Sequence, residues 1–90
     1  MAIIILNHKV KDFSAWKPFF DADNERRRSS GLRIWKVCTK HGDPNDVYMI
    51  FEADDPDSFQ TMANDPGLRE IMEKAGVISE PKIELILDVK

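Results

Sequence analysis

Ninety residues, 42% hydrophobic and 32% charged, suit one small globular domain spanning 1–90 and exclude a disordered chain. A net charge of −3 gives no electrostatic basis for a nucleic-acid partner, and no apolar stretch approaches the length that spans a membrane. The single cysteine, Cys38, excludes an intrachain disulfide and fits a cytoplasmic protein, and the short β-branched N-terminal run lacks the basic region of a signal peptide.

In chain order, Ala2-Ile3-Ile4-Ile5-Leu6 opens a strand expected over 2–9, because consecutive β-branched aliphatics favour a pleated, buried backbone. Asp12 or Ser14 offers the N-cap of a first helix reaching Ser29 or Ser30, with Phe13, Trp16 and Phe20 at helical spacing. If Asp12 is the cap, Pro18 lies beyond the first turn and is expected to kink the helix. Gly31 stands where a left-handed residue closes a helix. Residues 32–39 alternate as a second strand, 40–46 read as a turn with Asp43-Pro44 at its first two positions, and 47–52 complete a hairpin. Asp55-Pro56 and Asp65-Pro66 each place a capping aspartate before a proline, predicting short helices over 56–63 and 66–75. Leu68, Ile71, Met72 and Ala75 form the buried stripe of the second, Gly76 ends it, and 83–89 is the last strand.

The order β-α-β-β-α-β is the ferredoxin-like split unit, an α+β fold whose four-stranded antiparallel sheet carries its helices on one face. The first and last strands barely alternate, so both their faces are apolar. Helices cover one face, and the simplest cover for the other is a second copy of the chain. In the hairpin, the all-apolar face of Val47, Met49 and Phe51 is assigned to the helices. The mixed face of Tyr48 and Ile50 goes to the partner of a homodimer, with Trp35 on the adjacent strand beside Arg33 and Val37.

Chemistry-bearing side chains gather at the end of the first strand and along the first helix. His8 has an imidazole suited to orienting a ligand or moving a proton near neutral pH. Asn7, on the opposite face, suits holding an enolate or carbonyl oxygen. Which of the two faces the helices is open at this level. Trp16 and Phe20 share one helical face that Asn24 and Arg27 continue, so the stripe begins aromatic and ends polar, as a helix lining a partly wet cavity would. Arg26-Arg27-Arg28 fan around the axis instead of forming one anion patch and complement the helix dipole. The acidic residues 43–57 fail the calcium-loop spacing, two histidines and one cysteine give no zinc pattern, and there is no glycine-rich phosphate loop. The sequence therefore implies no metal and no cofactor. Cys38 is expected to be a small buried hydrophobe of the second strand.

Taken together, His8-Lys9-Val10-x-Asp12-Phe13-x-x-Trp16-Lys17, Phe20-Asp21, Ser30-Gly31, Asp43-Pro44-Asn45, Phe51-Glu52 and Leu68-Arg69-Glu70-x-Met72-x-x-Ala75-Gly76-Val77 resemble the dimeric α+β barrel superfamily. Its small members are described as antibiotic-biosynthesis-monooxygenase-like or cyclase-like. The resemblance spans nearly the whole chain. It implies a homodimer of stacked sheets, a small-molecule pocket between sheet and helices in each subunit, and cofactor-free monooxygenase, cyclase or isomerase chemistry, or binding without turnover. The haem-degrading branch pairs a first-strand Asn with a later Trp and His. Asn7 matches the first of these, but no histidine follows His41.

Overall fold

The computed structural model describes residues 1–90. Strand β1 (Ala2–Lys9) leads into helices α1 (Phe13–Ala22) and α2 (Asn24–Ser29). The hairpin of β2 (Leu32–Lys40) and β3 (Asp43–Ala53) follows, then α3 (Ser58–Ala63), α4 (Pro66–Ala75) and β4 (Lys82–Asp88). The four strands form one antiparallel sheet in the order β2-β3-β1-β4. This is the ferredoxin-like α+β arrangement, with each helical segment divided in two.

The period-2 rule of strands sorts β1 cleanly. Ala2, Ile4, Leu6 and His8 are buried beneath the helices, while Ile3, Ile5 and Asn7 face the other way. On β3, Val47, Met49, Phe51 and Ala53 join the buried side, as the hairpin pattern anticipates. Trp16 of α1, Phe59 and Met62 of α3 and Ala75 of α4 close the core above them.

Asp12 caps α1, its carboxylate accepting from the Ser14 N–H at 3.0 Å. The Asn45 side-chain oxygen accepts from the Phe13 N–H at 2.9 Å, so a second otherwise unpaired donor of that helix end is satisfied across the fold. The helix runs through Pro18 and is interrupted only at Asp23, whose N–H closes a tight turn onto the Phe20 carbonyl. The 56–63 helix begins two residues later than expected, at Ser58. Asp55 instead accepts from the Asp57 N–H at 2.8 Å and builds a turn, leaving Pro56 outside the helix. For α4 the expected pieces are all in place: Asp65 accepts from the Gly67 N–H at 2.9 Å, Pro66 is the first helical residue, and Gly76 ends the helix at φ 82°.

Two further expectations are corrected. The hairpin turns at His41-Gly42, with Gly42 at φ 87°, so Asp43-Pro44 already lies in β3. Residues 44–46 leave the ladder to β2 and pair toward β1 instead, through Lys9 opposite Asp46 and the Val10 N–H to the Asn45 carbonyl at 2.9 Å. The second correction concerns β2, where the register passes from Ile34–Phe51 directly to Lys36–Ile50. This β-bulge at Trp35 reverses the alternation. Val37, expected to share a face with Arg33 and Trp35, packs against the core with Ile34, and Cys38 pairs with Tyr48 and is exposed instead of buried.

The face away from the helices is strongly apolar. Ile50, Ile5 and Leu85 lie side by side across β3, β1 and β4, and Ile3 and Leu87 continue the patch. Leu85, Leu87 and Trp35 are 52%, 46% and 59% exposed. Polar groups border it. Asn7 donates to Asp46 Oδ1 at 2.6 Å and to the Val47 carbonyl at 3.0 Å at one end, and Arg33 reaches Asp54 at 2.9 Å at the other. No helix is long and apolar enough to cross a membrane.

Candidate functional site

Between the helices and the sheet lies a cavity of about 60 Å³. That holds a few waters or a fragment of a ligand, so a larger molecule requires the walls to part. Met49 and Phe51 of β3, Met62 of α3 and Ile71 and Met72 of α4 make much of the wall, and its polar side chains are His8, Asp23 and Arg27. Phe19, 40% exposed, also lines it and is the large side chain of the wall that solvent reaches most readily.

The cavity is organised around a stacked column. The His8 ring meets Trp16 edge-on, with centroids 5.4 Å apart and planes at 80°. Trp16 lies 4.8 Å from Phe20, one turn further along α1, and the Arg27 guanidinium carbon sits 3.8 Å above the Phe20 ring centre. Helical spacing brings Trp16 and Phe20 together. Strand parity brings His8 beneath them.

His8 is buried and its Nδ1 has no hydrogen-bond partner. Burial lowers its pKa from 6.5 to about 4, against the opposing pull of its own backbone. At neutral pH the ring is uncharged. A conjugate acid this strong makes the free imidazole a weak base, so it is better suited to donating a hydrogen bond to a developing oxyanion than to abstracting a proton.

Arg27 is the unusual group. It is 4% exposed, its Nε has no partner, and no carboxylate lies within 4 Å of it. Asp23 is held by Arg26, whose Nε donates to both carboxylate oxygens at 3.1 Å. Burial lowers the Arg27 pKa, against the attraction of Asp23 and then Asp21. Stacking on Phe20 returns about 2 kcal/mol, set against the cost of desolvating a cation.

Of the residues singled out in the sequence, His8, Trp16, Phe20 and Arg27 converge here. Asn7 does not: it faces the open side of the sheet and is bonded to Asp46. Asn24 is also outside the wall, because the break at Asp23 interrupts the helical progression that would carry it inward. The sequence reading missed Asp23 and Pro81 as lining residues. Asp23 carries a signal in retrospect, since it precedes Arg26 by one turn.

A ferredoxin-like sheet roofed by helices over an apolar cavity defines the structural class. No protein-family model matches the sequence, and no curated protein matches it either. Solved structures do match. An antibiotic biosynthesis monooxygenase is 14% identical with a TM-score of 0.69, covering 100% of this chain and 99% of that one. SnoaB, a cofactor-independent oxygenase from Streptomyces nogalater, is 15% identical with a TM-score of 0.69, covering 99% and 92%. A dimeric ferredoxin-like protein from an uncultured marine organism is 15% identical with a TM-score of 0.60, covering 99% and 94%. The chain thus has the fold of the antibiotic-biosynthesis-monooxygenase-like proteins, the group its sequence resembles. At such identities the likeness concerns the fold.

Proposed function

We propose that the protein is a homodimer joined through the open sheet face, with each subunit binding a small apolar or aromatic molecule between α1 and the sheet. On that molecule it acts as a cofactor-independent monooxygenase or a cyclase- or isomerase-like enzyme. The observation that carries this reading is the neutral, unpartnered His8 against Trp16 within an apolar-walled cavity. Oxygenation without a cofactor needs a substrate that supplies its own electrons: an activated ring CH₂ and O₂ become C=O and water. The protein's part is to exclude bulk water, orient the ring on Trp16 and Phe20, and stabilise enolate charge with the imidazole N–H. The structural match to SnoaB, at a TM-score of 0.69, supports the architecture needed for this.

Oxygen uptake with a panel of hydroxyaromatics that carry an activated ring CH₂ tests the reading. Turnover lost in His8→Ala with the fold intact supports it. Turnover unaffected by that change, or no rise in melting temperature with any aromatic or lactone, rejects it.

A second reading, ligand binding without turnover, is favoured by the Nδ1 of His8. No carboxylate or carbonyl from another residue orients the ring, as the base of a catalytic pair normally requires. Stabilisation by a ligand with no product formed selects this reading.

A further inference from the structure

Arg27 asks for something the chain does not supply. It is buried in the wall of the cavity, stacked on Phe20, with an unpartnered Nε and no carboxylate within 4 Å. The acidic groups that attract it are both engaged elsewhere. Asp23 accepts two hydrogen bonds from Arg26, and Asp21 is paired with Lys17 at 2.7 Å. Apart from Arg26-bound Asp23 and neutral His8, the rest of the wall is apolar. A guanidinium in such surroundings presents a planar fork of donors that matches a carboxylate in two parallel bonds.

We infer that the cavity selects aromatic carboxylates, the carboxylate pairing with Arg27 and the ring lying along Phe20 and Trp16 toward His8. This rests on the reading of the cavity as a ligand site and adds the charge and polarity of the ligand's head. The arrangement also sets an orientation. The acid group is fixed at the α2 end, and the far side of the ring is what meets the imidazole. Neutral rings of the same shape leave Arg27 unpaired when they expel water from the cavity, and so bind less well.

The test compares benzoate and 1-naphthoate with their neutral amides by calorimetry at low ionic strength. A Trp35→Phe protein serves as the optical reporter, since Trp16 is then its sole tryptophan. The expected result is at least tenfold tighter binding of each carboxylate, quenching of Trp16 on binding, and a preference that shrinks as salt is raised. In Arg27→Met the preference disappears while amide binding persists. If that variant does not fold, Arg27→Lys replaces it and should lose most of the preference, because an ammonium cannot form the fork. Equal affinity for acid and amide in the wild type, or a preference that survives both changes, overturns the inference and leaves a cavity that binds aromatics without regard to charge; binding without Trp16 quenching overturns it by placing the ligand outside the cavity. Binding of neither acids, amides nor neutral lactones overturns the ligand-site reading itself.

Discussion

Arg26 and Arg27 divide the available acids unequally: Arg26 holds Asp23 and also pairs with Asp65 at the start of α4, leaving Arg27 none within 4 Å. Arg26 never enters the cavity wall, yet it controls the wall's charge by occupying Asp23. Arg26→Met should free Asp23 to turn toward Arg27 and weaken aromatic-carboxylate binding without touching the ligand. It should also loosen the link between α2 and α4. Titration of the variant with benzoate measures the first effect, and hydrogen exchange at the N-terminus of α4 measures the second. Unchanged carboxylate affinity would show that Asp23 does not compete.

The pH dependence of stability follows from His8. Its folded pKa of about 4 lies below the ordinary 6.5, so the unfolded chain takes up a proton that the folded one refuses. The stability tied to neutral His8 is fully present above pH 6.5 and is lost as pH falls toward 4. The full loss is about 3 kcal/mol. Below the folded value no further loss comes from this group. Denaturant unfolding of wild type and His8→Phe across that interval should differ in slope, with the variant flatter. Parallel curves would mean that His8 is solvated in solution.

The open sheet face makes a concentration-dependent prediction. In Trp16→Phe, Trp35 is the only tryptophan, and its emission should move to shorter wavelength as the protein is concentrated through its dimerisation range. Ile50→Lys places a charge at the centre of the apolar patch beside Ile5. It should yield monomers by sedimentation with native circular dichroism. A dimer that survives Ile50→Lys would place the interface elsewhere.

Gly76 closes α4 at φ 82°, and an added Cβ would meet Lys11 Cβ at an ordinary 3.7 Å. Gly76→Ala therefore tests backbone strain with little steric clash. It should cost about 1 kcal/mol, read as a lowered midpoint of denaturation with unchanged m-value.

The sequence made the sheet and its helical roof legible because strand parity and helical spacing are local properties. Three of the cavity residues, Trp16, Phe20 and Arg27, lie on the stripe that helical spacing picks out, while strand parity narrowed the fourth only to one of Asn7 and His8. What escaped depended on irregularity. The interruption at Asp23 excludes Asn24 from the wall, and the side of the sheet taken by Asn7 needed the pairing with β3 to decide it. The isolation of Arg27 was only half legible: Arg26 and Asp23 stand one turn apart, but the second partner that helps fix Arg26, Asp65, reaches it from 39 positions away. No local pattern records how a distant pair of residues shares out its charges.

The bulge at Trp35 gives β2 two reading frames in space. Ile34 and Val37 both point inward although three positions separate them, an odd spacing that an unbroken strand would send to opposite sides. A slip that took Trp35 into the ladder as an ordinary residue would restore simple alternation and act on the fold as a frameshift acts on a message. Everything downstream to the hairpin would exchange sides, with Val37 driven out and Lys36 and Cys38 driven in. The lone thiol is therefore a marker of frame: in a protein held monomeric by Ile50→Lys, prompt alkylation of Cys38 reports the bulged strand, and resistance reports the slipped one.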